Sequence, residues 1–170
     1  MNDENFIFFK GGKYPKFQSE GFAAQFAIPV ALNVLGGNGV DVGCNRKSWA
    51  YPYASFLVDP QIDPQFNAMN FPGDEYDYIF SSHLLEHLND WVNVLSYWRS
   101  KIKTGGKVFL YLPNANDQIY WRPWHNRKHV NYFTPEIIKQ YFEDQPQLWN
   151  DVYVSGTDAN SSFIAYANKS

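Results

Sequence analysis

Three groups of side chains in this sequence have types and spacings suited to chemistry. In Gly39-Val-Asp41-Val-Gly43-Cys44-Asn45-Arg46, an acid and a glycine close a short apolar run, and Asp59 closes the next one, Ser55-Phe-Leu-Val-Asp59. Glycine after a strand lets backbone approach a ligand closely, and a carboxylate at the end of the neighbouring strand can accept both hydroxyls of a ribose. The second group is His83-Leu-Leu-Glu86-His87, where an imidazole with an ordinary pKa of about 6.5 can remove a proton near neutrality. The third lies between Asn114 and Phe133, where Trp121, Trp124, His125, Arg127 and His129 crowd one loop. A loop of that length is more often functional or mobile than mere packing, so these five are the candidate substrate-pocket residues, the opposing reading being an ordered surface loop that covers the sheet.

The elements that must position these groups alternate between strand and helix, which predicts an α/β fold. Val40–Val42, Ser55–Val58 and Tyr76–Phe80 read as short strands, and Lys107–Leu112 as a longer one opened by Gly105-Gly106 and stopped by Pro113. Asp151–Ser155 and Ser162–Ala167 read as an antiparallel pair with a long connecting loop. Leu88, Trp91, Val92, Leu95, Trp98 and Ile102 recur at helical spacing. Thr134-Pro135-Glu136 predicts a helix start, with Ile137, Ile138, Tyr141 and Phe142 as its apolar face. Phe22–Val34 is expected to be helical with a break near Pro29, and no helix fits between Asp59 and Asn67. The expected architecture is a doubly wound, mainly parallel sheet of minimal size with an antiparallel C-terminal hairpin.

In order along the chain, these segments resemble the class I S-adenosylmethionine-dependent methyltransferases, in particular their small, UbiE-like, small-molecule branch. Asp41 and Gly43 match the family's D-x-G-x-G loop, with Asn45 in place of the second glycine. Asparagine tolerates left-handed backbone, so the turn can survive the exchange. Asp59 falls where the family places its ribose-binding acid, and Asn67-Ala68-Met69-Asn-Phe-Pro72 resembles the D-A-x-x-L-P segment that contacts the adenine. Glu75-Tyr-Asp77-Tyr-Ile-Phe resembles S-F-D-x-V, Ser81-Ser82-His83-Leu-Leu-Glu86-His87-Leu88 the fourth-strand motif, and Lys103-Thr-Gly-Gly-Lys107 the L-K-P-G-G turn. The resemblance implies a Rossmann-like methyltransferase fold and S-adenosylmethionine as cofactor, held by Asp41, Gly43, Cys44, Asn45, Asp59, Asn67, Ala68, Met69, Ser81 and Ser82. It also implies methyl transfer to a small-molecule acceptor, with His83 and His87 as the candidate catalytic bases.

Other readings compete. A non-catalytic cofactor-binding or scaffold protein derived from such an enzyme is the alternative to which Asn45 and the short crossovers point. His83-x-x-Glu86-His87 also satisfies the inverzincin pattern, with two histidines on zinc and Glu86 as general base. That pattern needs the motif inside a helix, whereas here it directly follows a strand, so no metal is expected and a zinc hydrolase is the remote alternative. Gly37, Gly39 and Gly43 have the wrong spacing for a dinucleotide fingerprint, and there is no P-loop.

Composition narrows the classes further. A chain of 170 residues with a net charge of −3 reads as a single domain without the basic face that nucleic acid requires. One cysteine excludes an internal disulfide framework and suits a reducing compartment. The absence of an apolar run near 18 residues or a charged-then-apolar leader leads to an expectation of cytoplasmic location without membrane contact. Aromatic residues make up 19% of the chain, so either the core is packed with large rings or rings line a pocket. Oligomeric state is not legible in the sequence.

Overall fold

The computed structural model describes residue 4 and residues 6–9, 12–16, 21–117 and 128–170. Strands β1 (Phe6–Phe9) and β2 (Gly12–Pro15) form an antiparallel pair that the sequence reading did not anticipate. The remaining strands are β3 (Gly39–Val42), β4 (Phe56–Val58), β5 (Tyr76–Ser82), β6 (Ile102–Pro113), β7 (Trp149–Val154) and β8 (Ser162–Lys169). They make one six-stranded sheet in the order β4-β3-β5-β6-β8-β7. Pairing is parallel from β4 through β6 and antiparallel at β6–β8 and β8–β7, the mixed sheet with an antiparallel C-terminal hairpin expected from the sequence. Because β4 and β5 lie on opposite sides of β3, the winding direction reverses at the β3–β5 boundary. In open α/β sheets the crevice beyond the strands' carboxyl ends at that reversal is where ligands bind.

Strand alternation sends two kinds of side chain to the two faces. Ile79, Val108, Leu110 and Leu112 face one side, where helices α2 (Trp91–Lys101) and α3 (Pro135–Glu143) cover them with Val94, Leu95, Trp98, Ile138 and Phe142. Tyr78, Phe80, Phe109 and Tyr111 face the other, covered by the 3₁₀ turn Ala23–Phe26, helix α1 (Ile28–Val34) and Tyr51. On that second face the rings form a row across the strands. Tyr51 stacks on Phe80 at 5.0 Å, Phe80 on Phe109 at 5.3 Å, Phe109 on Tyr166 at 6.0 Å and Tyr166 on Tyr153 at 4.8 Å. Much of the aromatic content is therefore core.

The start of α3 follows the sequence signal, and side chains cap both helices. The Asp90 side chain accepts from Asn93 N at 3.1 Å to open α2, and Thr134 Oγ1 accepts from Ile137 N at 3.3 Å to open α3, with Pro135 first in the helix. Some details differ from expectation. Val92 and Ile137, expected on the apolar faces, are exposed, while Val94 is buried, because α2 turns by the 91-94-95-98 spacing rather than through position 92. The segment Phe22–Val34 splits into a 3₁₀ turn and a short helix entered at Pro29, so proline starts α1 rather than breaking it. Strand β6 begins at Ile102, not Lys107. Ile102 pairs with Tyr76 and Lys107 with Tyr78, and Gly105 at φ +79° forms the irregularity that absorbs the residues between. Between Asp59 and Pro72 there is no helix, only turns and the single bridge Asn67–Asn70, anchored by Trp98 Nε1 donating to Ala68 O at 2.8 Å.

Truncating the middle of the ring row should be expensive. Phe109→Ala is expected to lower unfolding free energy by about 3–5 kcal/mol, whereas Phe8→Ala, at 73% exposure, should change it by less than about 0.5 kcal/mol; urea denaturation of both variants checks the contrast.

Candidate functional site

Beyond the carboxyl ends of β3 and β5, at the winding reversal, lies a cavity of about 470 Å³. Asp41, Gly43, Cys44 and Asn45 form one wall, Ser82, His83, Glu86 and His87 a second, and Gly21–Ala24 with Trp49 a third. Phe80, from the ring row, lines it too, and Lys128 and His129 complete it.

The glycine loop leaves β3 in a sharp turn. Gly43 has φ +91°, and a Cβ there would meet Leu84 Cδ2 at 2.7 Å, so the position is closed to side chains on two counts. Asn45 adopts φ +63°, the left-handed backbone that asparagine tolerates and that a second glycine would otherwise supply. Two bonds tie the loop to the end of β4. Gly43 N donates to Val58 O at 2.8 Å and Asn45 N to Asp59 Oδ2 at 2.8 Å. Asp59 Oδ1 accepts from Gln61 N at 2.8 Å, so the buried carboxylate braces the loop. This bracing role has no signature in the sequence, where Asp59 reads as an acid after a strand, at the position of a ribose-binding acid.

Asp41 is buried beneath the loop and accepts from Tyr51 N at 2.6 Å. Burial raises its carboxyl pKa from 3.8 to about 7; the Tyr51 bond opposes the rise and the Asp59 charge adds to it. Cys44 is buried, and its thiol is pushed up to about 12 by the same desolvation, so it is an uncharged packing group near neutrality.

The histidine wall grows from the end of β5. His83 sits at φ +51°, a left-handed position at the strand end, and the following Leu85–His87 forms a 3₁₀ turn. His83 Nε2 lies 3.1 Å from Ser162 Oγ, and its ring meets Tyr111 edge-on at 5.1 Å. Burial, with His129 and His87 nearby, lowers the His83 pKa to about 3, so this imidazole is neutral at physiological pH and a weak proton acceptor. The segment after the loop is strapped onto the turn: Val130 N and Asn131 N donate to Glu86 O at 2.7 and 3.1 Å, and Asn131 Nδ2 to Leu85 O and Leu88 O at 2.9 and 2.6 Å. This strap brings His129 against His87, their ring centres 4.8 Å apart.

Of the residues expected from sequence, Asp41, Gly43, Cys44, Asn45, Ser82, His83, His87 and His129 come together around the cavity. Asp59 stands just behind it. Ser81 turns inward, donating to Val42 O at 2.8 Å, and Asn67, Ala68 and Met69 lie on the turn beyond β4, outside the cavity lining. Trp121, Trp124, His125 and Arg127 lie outside the described residues. Sequence reasoning did not assign Gly21–Ala24 or Trp49, which carry no motif. The His83-x-x-Glu86-His87 pattern is not in an α-helix, so the helical geometry that the inverzincin reading requires is absent.

The perturbed Asp41 makes stability depend on pH. With a folded pKa of about 7 against 3.8, the unfolded chain releases this proton first, so stability is lost as pH rises from about 4 to about 7. Asp41→Asn keeps an acceptor for Tyr51 N and removes that loss. It should match the parent at pH 4 and exceed it by roughly 1–4 kcal/mol at pH 8, measured by urea denaturation at both pH values.

Comparison with known proteins agrees with this geometry. A family model described as a methyltransferase domain matches residues 22–145. No curated protein matches the sequence. Among solved structures, a SAM-dependent methyltransferase of Thermotoga maritima superposes with a TM-score of 0.69 at 12% identity, covering 91% of this chain and 93% of its own. A SAM-dependent methyltransferase of Archaeoglobus fulgidus gives 0.63 at 17% identity, covering 91% and 97%. The N-methyltransferase NodS of Bradyrhizobium japonicum, solved with S-adenosyl-L-homocysteine, gives 0.58 at 14% identity, covering 91% and 88%. At these identities the likeness to solved structures is one of fold, while the family model spans most of the sequence. The glycine loop at the winding reversal, the acid after β4 and that match agree: the chain belongs to the methyltransferase-domain family, with the fold of the class I S-adenosylmethionine-dependent methyltransferases.

Proposed function

We propose that the chain binds S-adenosylmethionine against the Gly43–Asn45 loop and transfers its methyl group to a small-molecule acceptor held in the cavity. The observation that carries this reading is the loop itself. Gly43 and Asn45 both hold left-handed backbone, and Asp59 fixes the loop from behind through Asn45 N at 2.8 Å.

The residues fit the cofactor. About 470 Å³ is within the range of small-molecule and cofactor sites, roughly 300–1,000 Å³. Asp59 uses one lone pair on each oxygen for backbone donors, and each oxygen retains capacity to accept from a ribose hydroxyl. S-adenosylmethionine supplies an already activated methyl group, so the protein's task is alignment and exclusion of water. Asp41 and the loop hold the cofactor side of the cavity, Phe80 and Trp49 give it apolar walls, and His83, His87 and His129 face the acceptor side. The Gly21–Ala24 segment, which bounds the cavity on its third side, supports a small acceptor.

Calorimetric titration of the folded protein with S-adenosylmethionine and S-adenosylhomocysteine tests the reading. One equivalent of saturable binding is expected for each, and binding of neither would leave a non-catalytic domain of the same family. Asp59→Ala should weaken cofactor binding by roughly 1.5–3 kcal/mol, the worth of a hydrogen bond to a charged group; unchanged affinity in the same titration would remove Asp59 from the site. Asn45→Gly should preserve or improve affinity, since φ +63° costs glycine nothing.

A further inference from the structure

Glu86 is the most anomalous side chain of the cavity. It is 0% exposed, and neither carboxylate oxygen has a hydrogen-bond partner among the described residues. A buried carboxylate without donors is costly unless it takes up a proton or a cation compensates it. Its nearest candidates are His83 Nδ1 at 3.5 Å and His87 Nε2 at 3.8 Å, both too distant for a good hydrogen bond.

Around this carboxylate the fold gathers nitrogen donors from two parts of the chain. The turn Leu85–His87 brings Glu86 and His87, and the strapped segment 128–131 brings His129. One ligand atom from each of Glu86, His87 and His129 lies within 4.8 Å of the other two. His87 Nδ1 is 2.8 Å from Lys128 O. A carbonyl only accepts, so Nδ1 carries the proton and the lone pair is on Nε2, the nitrogen that faces Glu86. A ligating histidine is held in this way, with its outer nitrogen donating to a carbonyl or carboxylate. The His87 and His129 rings pack edge to face at 66°.

We propose that Glu86, His87 and His129 form a binding site for one first-row divalent metal ion, opening onto the cavity. Bonds near 2.1 Å in a tetrahedron hold ligands about 3.4 Å apart, so a set spread over 4.8 Å needs to contract by about 1.4 Å at most. Two imidazoles and one carboxylate suit zinc, manganese or iron better than magnesium or calcium. The set differs from the zinc-hydrolase pattern. His129 takes the place of His83, whose Nε2 pairs with Ser162 Oγ while its Nδ1 stays 3.5 Å from Glu86 Oε1, and Glu86 is a ligand rather than a base. Three protein ligands leave a coordination position toward the cavity, where the ion would act as a Lewis acid for an acceptor oxygen. That use rests on the methyl-transfer reading; the binding of the ion does not.

The test uses the full chain after chelator treatment and dialysis, titrated separately with Zn²⁺, Mn²⁺ and Co²⁺ by calorimetry and thermal unfolding. The expected result is one saturable equivalent of at least one of these ions, a raised Tm, and visible absorption bands for Co²⁺. Glu86→Gln and His129→Ala should each weaken binding at least about ten-fold, with circular dichroism confirming that both remain folded. Asp59→Ala should leave ion binding intact while weakening that of S-adenosylmethionine, which separates the two assignments. No binding of any of the three ions by the parent protein, or binding unchanged in both ligand variants, would overturn the site. Pairing of Glu86 with an organic ammonium ion instead, read as competition for the cavity without any metal binding, would overturn it equally.

Discussion

Everything at the cavity depends on the parallel placement of β3 between β4 and β5. Val40 is in register with Phe56 on one side and Ile79 on the other, which puts the ends of all three strands at one level. The glycine loop, Asp59 and His83 each follow one of those ends directly. A parallel pair cannot be closed by a tight turn, so each strand must be reached by a crossover. Here the crossovers are reduced to a 3₁₀ turn with coil after β3 and to turns with one bridge after β4. The loops at the strand ends are consequently held by side chains: Asp41 takes Tyr51 N and Asp59 takes Asn45 N.

The two buried acids near the loop and the one beneath the histidines illustrate three fates of a carboxylate. Asp59 is bonded through both oxygens to backbone and serves as a brace. Asp41 has one backbone donor, and desolvation raises it to about 7. The Glu86 carboxylate has no hydrogen-bond partner among the described residues and, taken without a cation, its pKa is raised by burial to about 8. The contrast is one of supplied donors, since all three are removed from water.

How much of this was legible in the sequence follows from the physics of each part. The strands and their order of appearance were legible because buried parallel strands are short apolar runs between glycines, as in Gly39–Val42. Asp41, Gly43, Asn45, His83 and His87 were legible as cavity residues because they sit directly at strand ends. The N-terminal hairpin was not, since four-residue strands carry too little alternation. The wall from Gly21 to Ala24 was invisible for a different reason: alanines meeting the sheet have no chemical signature. His129 was assigned to the substrate loop, but its convergence with Glu86 and His87 depends on Asn131 strapping the chain to the turn, and long-range backbone bonds of that kind leave no local trace.

The row of stacked rings has a bearing on how a ligand is received. Phe80 lies in the cavity wall and is clasped between Tyr51 and Phe109, which is itself backed by Tyr166 and then Tyr153 at the far side of the sheet. A ring gripped on both faces has few orientations to surrender. The wall it presents is therefore set before any ligand arrives, and association is spared the ordering entropy that a mobile aromatic would exact. Discrimination between ligands then falls to shape on this side of the cavity, and to adjustable polar groups on the other.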